Sequence, residues 1–433
     1  MTQTIFACAT GPGPAGVAVI RVSGAHAGRA LQALAADVPP PRRAALRRLH
    51  DRHGTLLDTG LVLFFPGPHS FTGEDVAELQ VHGGPTVVEA VLQALADLDG
   101  LRPAEPGEFT RRAFDHGRLD LTQVEALADL IAAETPAQRL QALTQLDGHL
   151  GQLYERWRAT LMRALAHLEA ALDFSDEDLP EDLIGQARGT ALPIGGQIRR
   201  HLGEGDLGER IRDGFTIAIA GPPNAGKSSL LNRLARTEAA IVSPIAGTTR
   251  DIVRVRLNLA GLPVDLLDLA GLRDSADPIE QEGVRRARAA MDRADLVIRV
   301  VDAADTGAAA ATEVPATKDL WVAHKADLAR LDDPRYLPVS SKTGEGLEAL
   351  MAAIAERLAA PRPDPAQPVL TRARHRYALT ETAAHLDRFA EQDEPVLAAE
   401  DLRLAVRALG RLTGRVDVDD LLDVIFSDFC IGK

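Results

Sequence analysis

The run Gly221-Pro-Pro-Asn-Ala-Gly-Lys-Ser228 carries the residue types that hold a phosphate. It follows an apolar strand-like stretch and opens a helix-like one, the context such a loop requires. Its glycines let backbone N–H groups converge on phosphate oxygens at a helix N-terminus. Asn224, Ala225, Gly226 and Ser229 line the same cradle. Lys227 is expected to reach the outer phosphates, and the Ser228 hydroxyl to ligate magnesium. A plain Gly-rich turn is the alternative, and the residues that follow argue against it.

Downstream comes Gly247-Thr-Thr-Arg-Asp251, where Thr249 offers a second hydroxyl to magnesium and a sensor of the γ-phosphate. Asp268-Leu-Ala-Gly271 ends an apolar run. Asp268 could hold the metal through water, and the Gly271 N–H could reach the γ-phosphate. His324-Lys-Ala-Asp327 ends another run, with Lys325 inside it. The Asp327 carboxylate can accept two N–H bonds from guanine, which adenine cannot supply. Ser340, Ser341 and Lys342 would set backbone N–H groups near the guanine carbonyl. Each motif alone is weak. Five in this order imply a guanine-nucleotide site. Two positions depart from the usual pattern: His324 stands where Asn is usual, and Leu269 where Thr is usual. Leu272 follows Gly271 where many small GTPases place a water-orienting Gln. No arginine finger is evident.

These loops need a sheet to hold their ends. Residues 213 to about 360 alternate strands and helices, which predicts a largely parallel sheet covered on both faces. Phe215–Ala220, Asp295–Val301 and Leu320–Ala323 read as its buried strands. Ala260-Gly261 between two apolar runs predicts one hairpin. Residues 1–118 read as α+β, with strands at Val17–Ile20, Leu61–Phe65 and Val76–Val81 and a helix at 86–98. Residues 119–172 have Leu and Ala at helical spacing, with Leu143, Leu146, Leu150 and Leu153 as one stripe, and helical character resumes after 182 up to about 212. An acidic stretch at 173–182 breaks the pattern. Pro361-Arg-Pro-Asp-Pro365 reads as a linker. Residues 367–433 are helical again. The expected organisation is multidomain α/β and all-α. It comprises an α+β part (1–118), a P-loop α/β part with a mostly parallel sheet (213–366), and helical parts on either side of that (119–212 and 367–433).

The chain has 433 residues and a net charge of −14. That excludes nonspecific binding along nucleic acid as its main business, though not a local basic surface. Two cysteines, Cys8 and Cys430, suggest no disulfide framework and fit a reducing cytosol. No signal peptide and no bilayer-spanning run are evident, so a cytoplasmic location without membrane association is expected.

The nucleotide motifs, together with Arg21-Val-Ser-Gly24, Leu79-Gln-Val-His-Gly-Gly84 and the terminal Phe429-Cys-Ile-Gly-Lys433, closely resemble the tRNA modification GTPase family MnmE (TrmE). The resemblance spans the whole chain. It implies an N-terminal folate-binding domain that also dimerises, and a helical domain interrupted by the G domain. It further implies a flavoprotein partner, MnmG, in a heterotetramer built on the homodimer. Together they would add an aminomethyl or carboxymethylaminomethyl group to C5 of the wobble uridine of tRNA. A 5,10-methylene- or 5-formyl-tetrahydrofolate would supply the one-carbon unit. GTP hydrolysis would be activated by potassium as two G domains meet.

By the same resemblance, Asn224, Ser243, Ile245 and Thr248 would bind potassium, with Gly247 in the same loop. The cation would place positive charge where the transition state becomes negative. Glu280 matches the family's water-orienting glutamate, with Lys227 beside it in the catalytic set. Glu282 is a near neighbour that sequence does not separate from it, and both could be solvated first-turn carboxylates. Arg273 matches a position near the switch. Arg21, Glu78 and Arg118 match folate-contacting positions, where Arg118 replaces the usual Lys, and Lys433 would reach the same ligand. Cys430 is the family's near-terminal cysteine: a catalytic or redox residue, or an inert one. Arg403, Arg407, Arg411 and Arg415 recur at helical spacing and could meet the tRNA backbone. A solvated amphipathic face is the alternative, as it is for Arg372, Arg374 and Arg376. A GTP-switched ribosome-assembly factor is the competing reading; it predicts an RNA-binding module such as a KH fold, and none is evident. A folate enzyme with a degenerate G domain is disfavoured by the intact Lys227, Ser228, Thr249, Asp268 and Asp327.

Overall fold

The computed structural model describes residues 3–173, 183–204, 206–237, 253–269, 285, 288–305, 318–359, 368–416, 422, 425, 426, 429 and 432. They form two compact units. One comprises Met1–Ala128, Tyr154–Arg158 and Arg407–Lys433; the other comprises Asp129–Leu153 and Ala159–Val406.

The first unit is built on a six-stranded sheet. Its elements are β1 (Thr4–Cys8), β2 (Ala15–Ser23), α1 (Ala27–Ala35), β3 (Ala45–His50), β4 (Leu56–Phe65), β5 (Val76–Gly83), α2 (Pro85–Ala96), β6 (Leu101–Pro103) and α3 (Glu108–Asp115). The strand order is β3-β4-β5-β2-β1-β6. Only the β1–β6 pairing is parallel. Alternation assigns the faces. Ala18, Ile20 and Val22 of β2 join Ala77, Leu79 and Val81 of β5 in one core with α1 and α2. The opposite face of β2 carries Arg21, and that of β1 carries Ile5 and Ala7, which pack on Phe109 of α3. Leu121 and Val124 cluster with Leu422, Phe426 and Phe429 from the end of the chain. Gly432 comes so close to β1 that an added Cβ would lie 2.3 Å from the Cys8 carbonyl oxygen.

The helices α4 (Leu121–Ala132), α5 (Pro136–Leu146), α6 (His149–Asp173), α7 (Leu183–Gly203) and α8 (Asp206–Asp213) follow. The expected continuous stripe over 143–153 is not one helix. Gly148 adopts φ +86° and separates α5 from α6. Leu143 is therefore 37% exposed while Leu150 is buried. A left-handed glycine resets the helical phase, so spacing counted across it loses its meaning. The start of α5 is locally encoded: Thr135 and Gln138 form a capping box, with Pro136 at the first position.

The second sheet contains β7 (Phe215–Ala220), β8 (Val253–Leu259), β9 (Leu262–Asp268), β10 (Leu296–Asp302), β11 (Asp319–His324) and β12 (Tyr336–Val339). The order is β12-β11-β10-β7-β9-β8. All neighbours are parallel except β8 and β9. Ala260 and Gly261 join that pair with φ +51° and +88°, the left-handed turn that matches strand twist. Helices α9 (Lys227–Thr237) and α10 (Leu347–Ala359) pack on it. Phe215, Ile217 and Ile219 are fully buried, each contributing about 1.5–3 kcal/mol. This burial fixes the strand ends that carry the loops. Finally, α11 (Ala373–Glu391) packs against α7, and α12 (Pro395–Thr413) ends at Gly414, whose φ is +82°. The multidomain α/β and all-α class is the one the sequence implies, with a Ras-like, mostly parallel sheet. Of the acidic stretch at 173–182, Asp173 ends α6 and 174–182 lie outside the described residues, as does the linker at 361–365.

Candidate functional site

The loop between β7 and α9 is shaped by three backbone conformations. Gly221, Asn224 and Gly226 have φ of +148°, +62° and +99°. A Cβ on Gly221 would lie 2.1 Å from the Val300 carbonyl oxygen of β10, so the loop sits directly on the neighbouring strand. Asn224 is exposed and Ala225 buried. Lys227 begins α9 and is buried; its Nζ donates to the carbonyl oxygens of Gly221 and Pro222, both at 2.8 Å. Burial pulls this ammonium below its usual pKa, opposed by the nearby Asp268 carboxylate. Ser228 Oγ donates to Asp268 Oδ2 at 2.7 Å. Asp268 is the last residue of β9 and is buried. Two hard oxygen ligands thus meet beside a lysine at the start of α9. Ser229 is exposed in the first turn of α9.

A second cluster gathers at the ends of β11 and β12. His324, in register with Val339 of β12 and Asp302 of β10, is 4% exposed. Its Nε2 lies 2.7 Å from Ser341 Oγ. Burial holds the imidazole below its ordinary pKa. Lys325 has φ +62°, and its Nζ donates to Asp302 Oδ2 at 2.7 Å. That bond keeps the Asp302 carboxyl below the usual range. Ser340 Oγ donates to Asp327 Oδ1 at 2.6 Å and lowers the Asp327 pKa likewise. Ser340 Oγ also receives the N–H groups of Lys342 and Thr343, both at 3.2 Å. Asp327 is therefore held ionised as an acceptor beside the 340–342 loop. Leu269, the second departure, is 7% exposed among Ala218, Ala294 and Val297.

Sequence reasoning missed Asp302 and the side-chain role of Ser340. The only available signal for Asp302 was a carboxylate closing a third apolar strand. Ser243, Ile245, Gly247, Thr248, Thr249, Gly271, Leu272, Arg273, Glu280, Glu282, Cys430 and Lys433 lie outside the described residues.

In the first sheet, Arg21 and Glu78 are directly opposite on β2 and β5. Arg21 Nε and an Nη donate to Glu78 Oε1 at 3.0 and 2.8 Å. The guanidinium lies 5.4 Å from the Phe71 ring centroid and 6.0 Å from that of Phe109. Arg118 is exposed after α3, with its stem 3.5 Å from where a Cβ on Gly73 would sit. The two arginine-bearing segments are thus linked by the 71–73 loop. Arg403, Arg372 and Arg376 make ion pairs with Glu169 at 2.7 Å, Asp129 at 2.7 Å and Asp206 at 2.8 Å respectively. Arg415 lies beyond the end of α12.

A parallel sheet with a phosphate loop at β7, a Ser–Asp pair at β9 and an ionised Asp at β11 defines a P-loop GTPase. The family described as MnmE helical domain matches residues 121–430, and that described as GTP-binding protein TrmE N-terminus matches residues 4–118. The tRNA modification GTPase MnmE of Parvibaculum lavamentivorans is 55% identical over 437 residues, covering 100% of both chains. The one from Rhodospirillum rubrum is 54% identical, covering 100% of this chain and 99% of that one. Among solved structures, the G domain of the T. maritima FeoB iron transporter is 29% identical, with a TM-score of 0.27, over 33% of this chain and 98% of its own. The chain belongs to the MnmE (TrmE) family of tRNA modification GTPases.

Proposed function

We propose that this protein hydrolyses GTP to drive modification of the wobble uridine of tRNA, acting as a homodimer with the flavoprotein MnmG. The observation that carries the GTPase reading is the meeting of Lys227, Ser228 and Asp268 at one mouth. Ser228 Oγ and Asp268 Oδ2 suit magnesium, which takes hard oxygen ligands and reaches some through water. Magnesium, when bound, would neutralise charge on the phosphates. The chain's own contribution is positional. Lys227 sets a positive charge against the outer phosphates, and backbone N–H groups of 224–229 hold them in line. Asp327 and the 340–342 loop select guanine.

Asn224 supports a potassium reading: it is exposed at the loop, and its side-chain oxygen is a suitable ligand. Potassium there would supply the charge an arginine finger brings elsewhere. Ser243, Ile245 and Thr248 are proposed to complete that site, and Glu280 to orient the attacking water. Thr249 and Gly271 are assigned to the γ-phosphate. In the N-terminal sheet, Arg21, Glu78, Arg118 and Lys433 are proposed to hold a tetrahydrofolate derivative. The donor set fits: both Arg21 bonds fall on Glu78 Oε1, so Oε2 is not taken by Arg21. A carboxylate oxygen there suits the paired N–H donors of a pterin. The bound folate would bring the one-carbon unit. Cys430 is assigned to the same end of the chain, where Gly432 docks on β1. No helix among the described residues is long and apolar enough to cross a membrane, and a cytoplasmic site of action is proposed.

GTP turnover in potassium and in sodium, at matched ionic strength, tests this reading. Turnover strongly favoured by potassium is expected. Equal turnover removes the potassium role of Asn224 and the 243–248 loop. No turnover in either salt removes the GTPase.

A further inference from the structure

We propose that His324 is a positioning residue that clamps the phosphate loop to the 340–342 loop, and that this protein consequently recognises guanine without using the base's N7. The proposal deepens the guanine-nucleotide reading and rests on it.

An asparagine amide has two N–H donors and an oxygen. It can tie two loops together and still offer a donor to guanine N7, an acceptor on the base edge. A neutral imidazole has one donor and one acceptor. In this chain both ring nitrogens are turned toward protein. Nε2 lies 2.7 Å from Ser341 Oγ. On the other side, a Cβ added to Gly226 would fall 2.1 Å from Nδ1, so that nitrogen is packed against Gly226 of the phosphate loop, a steric contact in which it makes no hydrogen bond. The ring is 4% exposed. A ring so enclosed cannot swing out to a base without giving up the Ser341 bond.

The surroundings complete the clamp. Backbone pairing fixes His324 on both flanks, with Asp302 of β10 on one side and Val339 of β12 on the other. Gly226 at φ +99° is the residue type that lets the ring approach the loop this closely. Ser341 is next to Ser340, which orients Asp327. His324 therefore couples the phosphate cradle to the loop beside the base-reading carboxylate. Base selection then falls on Asp327, whose acceptors face the N1 and N2 donors of guanine and take no part in N7 recognition.

The test uses the full chain with magnesium and two probes, GDP and 7-deaza-GDP, which differ only in N7. The wild type is expected to bind both with dissociation constants within about twofold. His324→Asn is expected to restore a preference for GDP of roughly two- to tenfold, the range of one neutral hydrogen bond. Ser341→Ala is expected to weaken both probes equally, because it loosens the clamp and touches no base atom. A wild type that already prefers GDP by the His324→Asn margin overturns the N7 inference, and does so even if that variant folds poorly. Unchanged affinities in Ser341→Ala overturn the clamp. A wild type that binds neither probe overturns the guanine-nucleotide reading itself, a result distinct from measurable binding with the wrong ratio.

Discussion

Ser228 Oγ donates a 2.7 Å hydrogen bond to Asp268 Oδ2, joining the first turn of α9 to the end of β9. The two residues are far apart in sequence and meet because β7 and β9 are parallel neighbours. Parallel strands present their C-terminal ends on one edge, where ligands of such sheets gather. The pair brings a hydroxyl and a carboxylate to the place where a magnesium-bound phosphate is proposed to lie.

Replacing either partner is expected to disable hydrolysis more than nucleotide docking. Asp268→Asn keeps the shape and removes the charge that would hold the metal through water. The loss is expected to be several kcal/mol of transition-state stabilisation, on the order of a hundredfold or more in kcat. Single-turnover GTP hydrolysis across a magnesium titration measures it. A variant with wild-type turnover at every magnesium concentration would move the metal elsewhere.

Gly226→Ala is expected to abolish guanine-nucleotide binding while leaving the first unit folded. The backbone at φ +99° is unfavourable for alanine, and its Cβ would lie 2.1 Å from His324 Nδ1. One of the two, loop or ring, must move. Strain of this kind costs on the order of 1–3 kcal/mol, and the misplaced N–H groups add to it. Isothermal titration with GDP reads the loss. Affinity within a factor of two of wild type is the opposing result.

Asp327→Asn is expected to shift base preference from guanine toward xanthine. The carboxylate, kept ionised by Ser340, is the acceptor proposed for guanine N1 and N2. An amide at this position can instead donate to the xanthine C2 oxygen. GTP affinity should fall by about 10- to 100-fold, the cost of leaving paired donors unmatched, while xanthosine triphosphate gains. Competition binding with the two triphosphates decides, and a variant with unchanged preference would take Asp327 out of base recognition.

Much of this site was legible because its determinants are local. Phe215–Ala220 is apolar except for Thr216, so a buried parallel strand followed from composition. Ala260-Gly261 announced its own hairpin through Gly261, a residue type that adopts positive φ freely. The Lys325–Asp302 pair was not legible. It depends on which residues β10 and β11 place side by side, and register between parallel strands has no local signal. The stripe from Leu143 to Leu153 misled for the converse reason. Spacing was counted through Gly148, whose left-handed conformation breaks the helix between α5 and α6. Arg372, Arg376 and Arg403 also looked freer in sequence than in structure. Asp129, Glu169, Asp206 and Glu209 engage them from distant segments.

Acid is expected to destabilise the second unit through His201. This residue of α7 is 8% exposed, and burial, aided by the charge of His375, lowers its pKa to about 4. His375 itself is fully buried. The folded pKa lies below the unfolded value of 6.5, so the unfolded chain binds more protons between the two. The stability this neutral histidine permits is present above about pH 6.5 and is lost as pH falls toward 4. The full loss is about 3 kcal/mol. His201→Gln should flatten that part of the profile. Urea unfolding of wild type and variant from pH 7.5 to 4.5 measures the difference, and parallel profiles would remove His201 as the cause.

Glu78→Gln is expected to weaken binding of 5-formyl-tetrahydrofolate with little effect on folding. The carboxylate faces Arg21 across the β2–β5 register, and the side chains are 22% and 17% exposed for Arg21 and Glu78. In the variant Arg21 keeps its position over Phe71 and Phe109, because those ring contacts do not depend on residue 78. What disappears is the anionic acceptor proposed for the pterin donors. Hydrogen bonds to a charged group contribute about 1.5–3 kcal/mol, so affinity should fall by roughly 10- to 100-fold. GTP hydrolysis, performed on the other sheet, should remain at the wild-type rate under the same buffer. Titration calorimetry with the folate, alongside a GTPase assay on the same preparation, separates a local loss from a folding defect. Undiminished folate affinity in a folded Glu78→Gln protein would place the ligand away from this pair.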